Sequence, residues 1–342
     1  MNYGKKSTAR KRNSLISRSS MMGKRARVSF IRVLFVSLIA LCIGVTCLGI
    51  GSFRGVIDNA PDVNDIDIMP LGYATFLYDD QGNQIRKLAA PNSNRLPVTL
   101  DQIPEDLQHA VVAIEDERFY KHNGIDLQGI IRAGVVGVTH GFHFTEGAST
   151  LTQQLIKNNV FPNVVNETNS ERFERKIQEQ YLALKIEKQM SKKEILEAYM
   201  NTINLGQGCL GVQTAAKRYF NKDAADLTLS ECAVIAGITQ SPSGNDPVKH
   251  PDVNARRREK VLNNMKKLGF INQTEYDEAM ADNVYDRILE TASNTQTSKP
   301  YSYFVDALIK QIVKDLVNKK GYSETQAYNL LYSGGLTITA TQ

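Results

Sequence analysis

The longest apolar run of the chain lies near its N-terminus. Residues 33–53 contain no charged side chain, are rich in Leu, Ile and Val, and are flanked by Arg32 and Arg54. At about 1.5 Å rise per residue, a helix of this length crosses the roughly 30 Å hydrocarbon core of a membrane. The run is too long for the apolar core of a cleaved signal peptide. The pattern therefore predicts a transmembrane helix rather than a buried core helix.

Beyond a linker over 54–71, the pattern first has the period of strands and then that of helices. Residues 75–85 predict two short strands joined by a turn. From Pro104 onward the apolar residues recur mainly with a helical period. Capping boxes that begin at Ser191 and Thr228 mark two helix starts. More helices are expected over 253–269, 303–319 and 323–332, and a new strand over 334–339. Because the chain ends just after that strand, we expect a longer natural protein.

The charge of the chain is unevenly distributed. Residues 1–32 hold ten Lys or Arg and no acid, which leaves 31 basic and 36 acidic residues for the remainder. The basic charge is thus confined to a tail, and no nucleic-acid partner is expected. A one-sided basic tail predicts a cytoplasmic N-terminus with everything after Arg54 outside. The tail itself either contacts anionic lipid or is a disordered topogenic segment.

The cysteines give no metal or disulfide framework. Cys42 and Cys47 lie in the apolar run, and the chain has no CxxC motif or Cys/His cluster. For Cys209 and Cys232, a single bridge and two buried thiols both remain open.

Three segments carry candidate chemistry, the first over 113–124. As a continuous helix it places Glu115, Phe119 and His122 on one face, with Gly124 ending the helix. A carboxylate at the edge of a buried face suits a general acid or base. An ordinary acidic edge on a capped surface helix is the alternative.

The second segment covers 147–158. As a helix it aligns Ser149, Gln153 and Lys157, beside Thr150, Gln154 and Asn158, in a strip of hydroxyls, amides and an ammonium that suits sugars and phosphates. Gly147 would bring the N-terminus of this helix close to an anion. A solvated polar face is the alternative.

The third segment is Arg175, Lys176 and Glu179, spaced as a helical ion-pair cluster. Alone it predicts a surface ion pair. Together with Glu115 and Lys157 it would place an acid/base group beside an anion clamp.

These residues together resemble glycosyltransferase family 51, the peptidoglycan glycosyltransferases of class A penicillin-binding proteins and monofunctional transglycosylases. The resemblance covers roughly 72–285. Five motifs carry it, in the family's order: Glu115-Asp116-x-x-Phe119-x-x-His122-x-Gly124; Gly147-x-Ser149-Thr150-x-Thr152-Gln153-Gln154 with Lys157-Asn158; Arg175-Lys176-x-x-Glu179; Lys192-x-x-Ile195-Leu196-Glu197-x-Tyr199-x-Asn201; and Arg257-x-x-x-Val261-Leu262-x-x-Met265.

The resemblance implies a mainly α, lysozyme-like fold with a small membrane-proximal jaw subdomain, preceded by one transmembrane helix. The expected order is a cytoplasmic tail (1–32), the membrane helix (33–53), a linker (54–71), the glycosyltransferase domain (72–285) and a connector (286–342). The connector resembles the region before the transpeptidase domain of bifunctional relatives. The implied location is the cytoplasmic membrane, in single-pass type II orientation.

The resemblance also implies the reaction, which is polymerisation of lipid II into β-1,4 glycan strands with release of undecaprenyl pyrophosphate. Glu115 would be the general base, and Glu179 would assist the leaving pyrophosphate directly or through a divalent cation, Mg²⁺ or Mn²⁺. No cofactor is otherwise required. Substrate and pyrophosphate binding would fall to Ser149, Thr150, Gln153, Gln154, Lys157, Asn158, Arg175 and Lys176. Support would come from Asp116, Phe119, His122, Gly124, Gly147, Tyr199, Asn201 and Arg257.

Partners implied by the resemblance are lipid II, the growing glycan chain, the cytoplasmic membrane, and proteins of cell-wall synthesis or division. Two rival functions stay open. A muramidase or lytic transglycosylase also uses carboxylates but needs no pyrophosphate clamp. A non-catalytic, membrane-anchored scaffold for the wall machinery would need neither catalytic carboxylates nor a pyrophosphate clamp.

Overall fold

The computed structural model describes residues 5–16, 18–63, 72–90, 93–139, 147–161, 167–288 and 302–341. The chain divides into two units, Met1–Ala60 and Pro61–Gln342.

The first unit contains helices α1 (Lys5–Ile16) and α2 (Arg18–Asp58). Within α2, residues Ala26–Asp58 are strongly apolar. Their most apolar stretch of 18 residues has a mean hydropathy of 2.7, and none of it is buried. By length and composition this helix can cross a membrane. The predicted span over 33–53 lies inside it, although α2 continues to Asp58, into the predicted linker.

A small three-stranded sheet begins the second unit. Strands β1 (Thr75–Tyr78) and β2 (Gln84–Leu88) form the predicted hairpin, antiparallel with Thr75 opposite Leu88. Its turn contains Gly82 at φ +83°, and the Asp79 carboxylate accepts hydrogen bonds from the backbone of that turn. The predicted C-terminal strand, β3 (Thr337–Thr339), pairs in parallel with β1, so the order is β2-β1-β3.

The helices of the second unit are α3 (Glu105–Glu115), α4 (Leu127–Thr139), α5 (Leu151–Val160), α6 (Asn169–Ile186), α7 (Lys192–Thr202), α8 (Val212–Phe220), α9 (Leu229–Ile238), α10 (Pro251–Lys267), α11 (Gln273–Ala281), α12 (Tyr303–Lys320) and α13 (Glu324–Ser333). The predicted mainly α class is confirmed. The predicted capping boxes at Ser191 and Thr228 are present and begin α7 and α9.

Helix α9 is the centre of the larger core. All of its residues from Ser230 to Ile238 are buried, as expected for a helix that is apolar on every side. Its one carboxylate, Glu231, accepts hydrogen bonds from Lys222 at 2.9 Å and Arg287 at 3.2 Å, which compensate its burial. Helices α3 and α10 pack on α9, and α5 packs on α6 and α7. This places the C-terminal ends of α3 and α9 next to α5.

A second, smaller core lies on the sheet. Leu77 and Leu88 of the hairpin pack with apolar side chains of α12 and α13. The predicted domain boundary between residues 285 and 286 stays a prediction. The sheet and this smaller core contain residues from both sides of that boundary. Of the two alternatives for Cys209 and Cys232, a disulfide bridge or two buried thiols, the structure contains two free, buried thiols.

Candidate active site

Glu115 lies at the last position of α3, where the helix reaches the end of its buried stripe. Its carboxylate is half-buried and holds one hydrogen bond on each oxygen. The amide Nε2 of Gln154 donates to Oε2 at 2.8 Å, and the hydroxyl of Thr239 donates to Oε1. The Tyr199 hydroxyl in turn donates to Gln154 Oε1 at 3.2 Å. Glu115 is therefore held in one orientation by side chains from three other helices.

The predicted continuous helix over 113–124 is wrong. The helix ends at Glu115, because Asp116 leaves helical geometry (φ −155°, ψ 74°) and turns its carboxylate to other partners. The Leu151 N–H donates to Asp116 Oδ2 at 3.0 Å, and His122 Nε2 lies 3.0 Å from both carboxylate oxygens. Phe119 and His122 thus lie in a turn rather than on the helical face of Glu115.

This turn fixes α5 and α6 relative to Glu115. The Thr150 hydroxyl donates to the Gly124 carbonyl at 2.8 Å. Gly124 has φ +90°, and a Cβ there would lie 2.6 Å from the Ala183 carbonyl oxygen of α6, so glycine is required on two grounds. Phe119 is fully buried, with Lys192 Nζ 4.4 Å from its ring centroid. The supporting role expected of Asp116, Phe119, His122 and Gly124 stays a prediction.

Helix α5 begins later than predicted, and this changes the placement of the second segment. Thr150 is the N-cap and forms a capping box with Gln153, so Ser149 and Gly147 precede the helix. The Leu151 and Gln153 N–H groups already bond to Asp116 and Thr150. The anion site expected at this N-terminus is therefore not supported.

Thr150 and Gln153 also differ from their predicted role as substrate ligands. Thr150 is 1% exposed and Gln153 is 3% exposed, because both side chains serve the cap. Gln154 and Lys157 are half-buried and Asn158 is exposed, so this half of the predicted strip is open to a ligand.

Lys157 interacts electrostatically both with Glu115 and with the charged residues of the third segment. Burial lowers the pKa of Lys157, and the charges of Lys176 and Arg175 lower it further, while Glu179 and Glu115 oppose them. Lys157 has no hydrogen bond or ion pair with the residues that the structure describes. An ammonium that is partly desolvated and free to bond is well suited to an anionic ligand.

The predicted surface ion pair of the third segment is buried. Glu179 has no exposed surface, and its two oxygens accept hydrogen bonds from Arg175 and from Lys176, the latter at 2.7 Å. Arg175 also donates to both oxygens of Glu167, at 2.6 and 2.8 Å. Hydrogen bonding to Glu167, with the charge of Glu179, holds the pKa of Arg175 above its ordinary value. Glu167 was not identified from the sequence, since a lone glutamate before a helix forms no pattern that indicates a partner for Arg175.

Lys176 joins this cluster to the start of α5. Its ammonium donates to Ser149 Oγ at 3.3 Å as well as to Glu179. About 41% of the Lys176 side chain is exposed, so unlike Glu179 it can contact a ligand.

Tyr199 and Asn201 have supporting positions in α7. Tyr199 is fully buried, which raises its pKa well above the ordinary value, with the charges of Glu115 and Asp116 adding to the shift. Asn201 bonds to both backbone groups of Val98, at 3.0 and 2.8 Å, and so holds the segment before α3 on α7.

Two further residues, from α10 and from the end of α9, interact with Glu115. Arg257 of α10 packs over Gly237, where an added Cβ would lie 3.4 Å from its Cγ, and burial lowers its pKa while the charge of Glu115 opposes that effect. Thr239 of α9 was missed, because a single threonine 124 positions from Glu115 leaves no pattern in the sequence.

The divalent cation considered near Glu179 does not fit the donors there. Both Glu179 oxygens already accept from cations, and a metal ion would have to displace them. The described residues contain no group of three His, Cys, Asp or Glu that could hold a metal. No step is therefore assigned to a metal.

Comparison with known proteins identifies the family of this chain. A family model described as Transglycosylase matches residues 81–266, just over half of the chain. The chain belongs to the transglycosylase family.

Similar full-length proteins extend well beyond this chain. Penicillin-binding protein 1A of Clostridium botulinum strain Hall is 38% identical over 93% of this chain and 38% of its own length. The relative of that name in Clostridium acetobutylicum is 37% identical, over 96% of this chain and 42% of its own length. Penicillin-binding protein 1A/1B of Bacillus subtilis is 34% identical, over 91% of this chain and 33% of its own length. The chain thus spans about two fifths of its clostridial relatives.

A crystal structure of penicillin-binding protein 1A from Haemophilus influenzae is 22% identical and covers 79% of this chain and 27% of its own, at a TM-score of 0.38. That score is too low to support an inference.

Proposed function

We propose that this chain is a peptidoglycan glycosyltransferase that polymerises lipid II into β-1,4-linked strands and releases undecaprenyl pyrophosphate. The observation that carries the proposal is Lys157, a half-buried ammonium without a bonded partner among the described residues, in electrostatic range of Glu115 and of the buried Arg175–Lys176–Glu179 cluster. A base and an anion clamp in one cleft are what glycosyl transfer from a pyrophosphate requires.

Glu115 acts as the general base on the acceptor. Its carboxylate removes the proton of the acceptor 4-hydroxyl while that oxygen attacks the anomeric carbon of the donor chain. The bond from the anomeric carbon to the pyrophosphate breaks in line, and the electron pair leaves with the pyrophosphate oxygen. An α-linked pyrophosphate then becomes a β-glycoside, which is an inversion. A well-placed base typically contributes about 10²–10⁴ to the rate.

The cations stabilise the charge that develops on the leaving group. Lys157 and the exposed end of Lys176 lie on the open side of the cluster and contact the pyrophosphate, the interaction that usually contributes most in such transfers. Glu179 acts through the cations that it holds rather than by touching the leaving group, because it is buried with both oxygens occupied. Ser149, Gln154 and Asn158 orient the sugar and phosphates.

The membrane span supports the choice of substrate. Lipid II is confined to a bilayer, and an enzyme anchored through α2 with its N-terminus in the cytoplasm meets it in two dimensions. The basic tail before α2 favours that orientation.

Glycan cleavage is the rival reading with some support, since it also uses carboxylates. A pyrophosphate clamp has no purpose in cleavage. A non-catalytic scaffold would not need a half-buried Lys157 that has no bonded partner among the described residues, because burial of that ammonium costs stability.

The test is to incubate the detergent-purified chain with labelled lipid II and, separately, with preformed glycan strands. We expect lysozyme-sensitive polymer from lipid II and intact strands in the second reaction. Shortened strands would support a muramidase. An inert but folded chain in both reactions would support the scaffold.

A further inference from the structure

Thr239 has two competing hydrogen-bond partners beside the proposed base. It is the C-cap of α9, with helical backbone angles (φ −49°, ψ −45°). Its hydroxyl donates to Glu115 Oε1, and the same Oγ1 lies 3.0 Å from the Ala236 carbonyl oxygen in its own helix. A hydroxyl has one hydrogen and two lone pairs, so it donates to only one of these acceptors at a time.

The other partners of Glu115 are fitted to the ionised carboxylate alone. Gln154 presents its N–H to Oε2, and reversing that amide would break the hydrogen bond that Tyr199 donates to Gln154 Oε1. Lys157 of α5 and Arg257 of α10 are cations whose charges interact with Glu115. Asp116, the adjacent residue, carries a like charge but is bonded to His122 and the Leu151 N–H.

Thr239 differs because it can also accept. When Glu115 is a carboxylate, the Thr239 hydroxyl donates to Oε1. When Glu115 is an acid, the hydroxyl rotates to donate to the Ala236 carbonyl, and its lone pair accepts the acid proton. Bonding of a threonine hydroxyl to a carbonyl of the preceding turn is common in helices, so the second arrangement needs no backbone change.

We propose that Thr239 is a positioning residue that keeps Glu115 hydrogen-bonded, and in one orientation, in both protonation states of the catalytic cycle. This inference rests on the proposed function. In the reaction, the acceptor 4-hydroxyl loses its proton to Glu115, its oxygen bonds to the anomeric carbon, and the pyrophosphate leaves with the electron pair of the broken bond. The Thr239 hydroxyl only reverses its hydrogen bond, so no proton passes through it, and Glu115 later returns its proton to solvent.

The test compares the parent chain, Thr239→Val and Thr239→Ser in polymerisation of labelled lipid II over a range of pH. Thr239→Val keeps the shape of the side chain and removes the hydroxyl, and Thr239→Ser keeps the hydroxyl. A bond to a charged group is lost in Thr239→Val, so we expect kcat to fall about tenfold with KM nearly unchanged. Lys157, Arg257, Asp116 and Tyr199 face Glu115 in every variant.

The pH profile separates this role from one that serves a single protonation state. The Thr239 hydroxyl bonds Glu115 in both states, so kcat of Thr239→Val should fall at every pH of the range rather than on one limb of the profile. Thr239→Ser should restore kcat throughout the range. Thr337→Val, an exposed threonine of β3, is the control for the substitution itself and should behave as the parent.

Three results would overturn the inference: a fall in the kcat of Thr239→Val on one limb of the pH profile alone, a change in KM alone, or no rescue by serine. Should the valine variant fail to fold, Thr239→Ala removes the hydroxyl with less bulk and gives the same test. The parent chain distinguishes the two claims. A parent that makes no polymer contradicts the proposed function. An active parent together with an unchanged kcat in Thr239→Val contradicts only this inference.

Discussion

Replacing Lys157 by methionine should lower activity and leave the fold intact or more stable. Methionine is also unbranched, is one heavy atom shorter than lysine, and removes the charge. The ammonium is half-buried, with a pKa lowered by burial and by two neighbouring cations, so the folded state gains little from it. A ligand phosphate gains much more, because Lys157 has no bonded partner among the described residues.

The size of the loss follows from the geometry of an ion pair. Two unit charges about 4 Å apart attract each other by about 4 kcal/mol at the effective dielectric constant of about 20 that suits a protein surface. Mutations that remove one stabilising group from a transition state cost about 2.7–4 kcal/mol, or about 10²–10³ in kcat. We therefore expect kcat/KM of Lys157→Met to fall by at least about a hundredfold. Stability should be unchanged or higher by about 1 kcal/mol.

The assay is polymerisation of labelled lipid II by the full chain in detergent, with thermal unfolding of the same preparations. Lys193→Met, an exposed lysine on α7, is the matched control and should resemble the parent in both measurements. Activity of Lys157→Met within about threefold of the parent would refute the clamp. A lost activity accompanied by a lower unfolding temperature would instead show that Lys157 supports the fold.

Three further predictions concern the frame of the site. Gly124→Ala should cost about 2–4 kcal/mol and lower the unfolding temperature, because φ is +90° and the new Cβ meets the backbone of α6; an unchanged temperature contradicts the close approach. Glu231→Gln should cost about 3 kcal/mol in the same assay, since it leaves Lys222 without its buried carboxylate, while activity per folded molecule persists. Burial raises the pKa of Cys209 to about 12 and that of Cys232 well above its ordinary value, so with the membrane-span cysteines replaced, neither thiol should react with a thiol reagent at pH 8 until the chain is denatured.

Features decided by nearby residues could be predicted from the sequence. The starts of α7 and α9 follow from capping boxes at Ser191 and Thr228, in which the partners are three residues apart. The hairpin follows from alternation around a turn containing Gly82. The long apolar helix α2 follows from composition alone.

Features decided by residues far apart in the sequence could not be predicted from it. The end of α3 depends on Asp116 meeting the Leu151 N–H, a contact across 35 positions. The spacing of Arg175 and Glu179 correctly indicated an ion pair, but its burial follows from the packing of α6 on α5. The C-terminal strand was predicted without its partner, because the parallel pairing with β1 crosses most of the second unit.

The same distinction applies to the candidate site. Motif spacing selected Glu115, Gln154, Lys157 and the α6 cluster, which the fold brings together. Thr150 and Gln153 belong to the same motif, and only the position of the helix start shows that their side chains serve the cap.

The most direct measurement is polymerisation of labelled lipid II by the parent chain, by Glu115→Gln and by Glu105→Gln, a matched control at the exposed start of the same helix. Glutamine keeps the shape of Glu115 and cannot accept the proton of the acceptor hydroxyl. We predict lysozyme-sensitive strands from the parent and from Glu105→Gln, and none from Glu115→Gln, with equal unfolding temperatures. Strand synthesis by Glu115→Gln at the parent rate would contradict the assignment of the base on which the account depends.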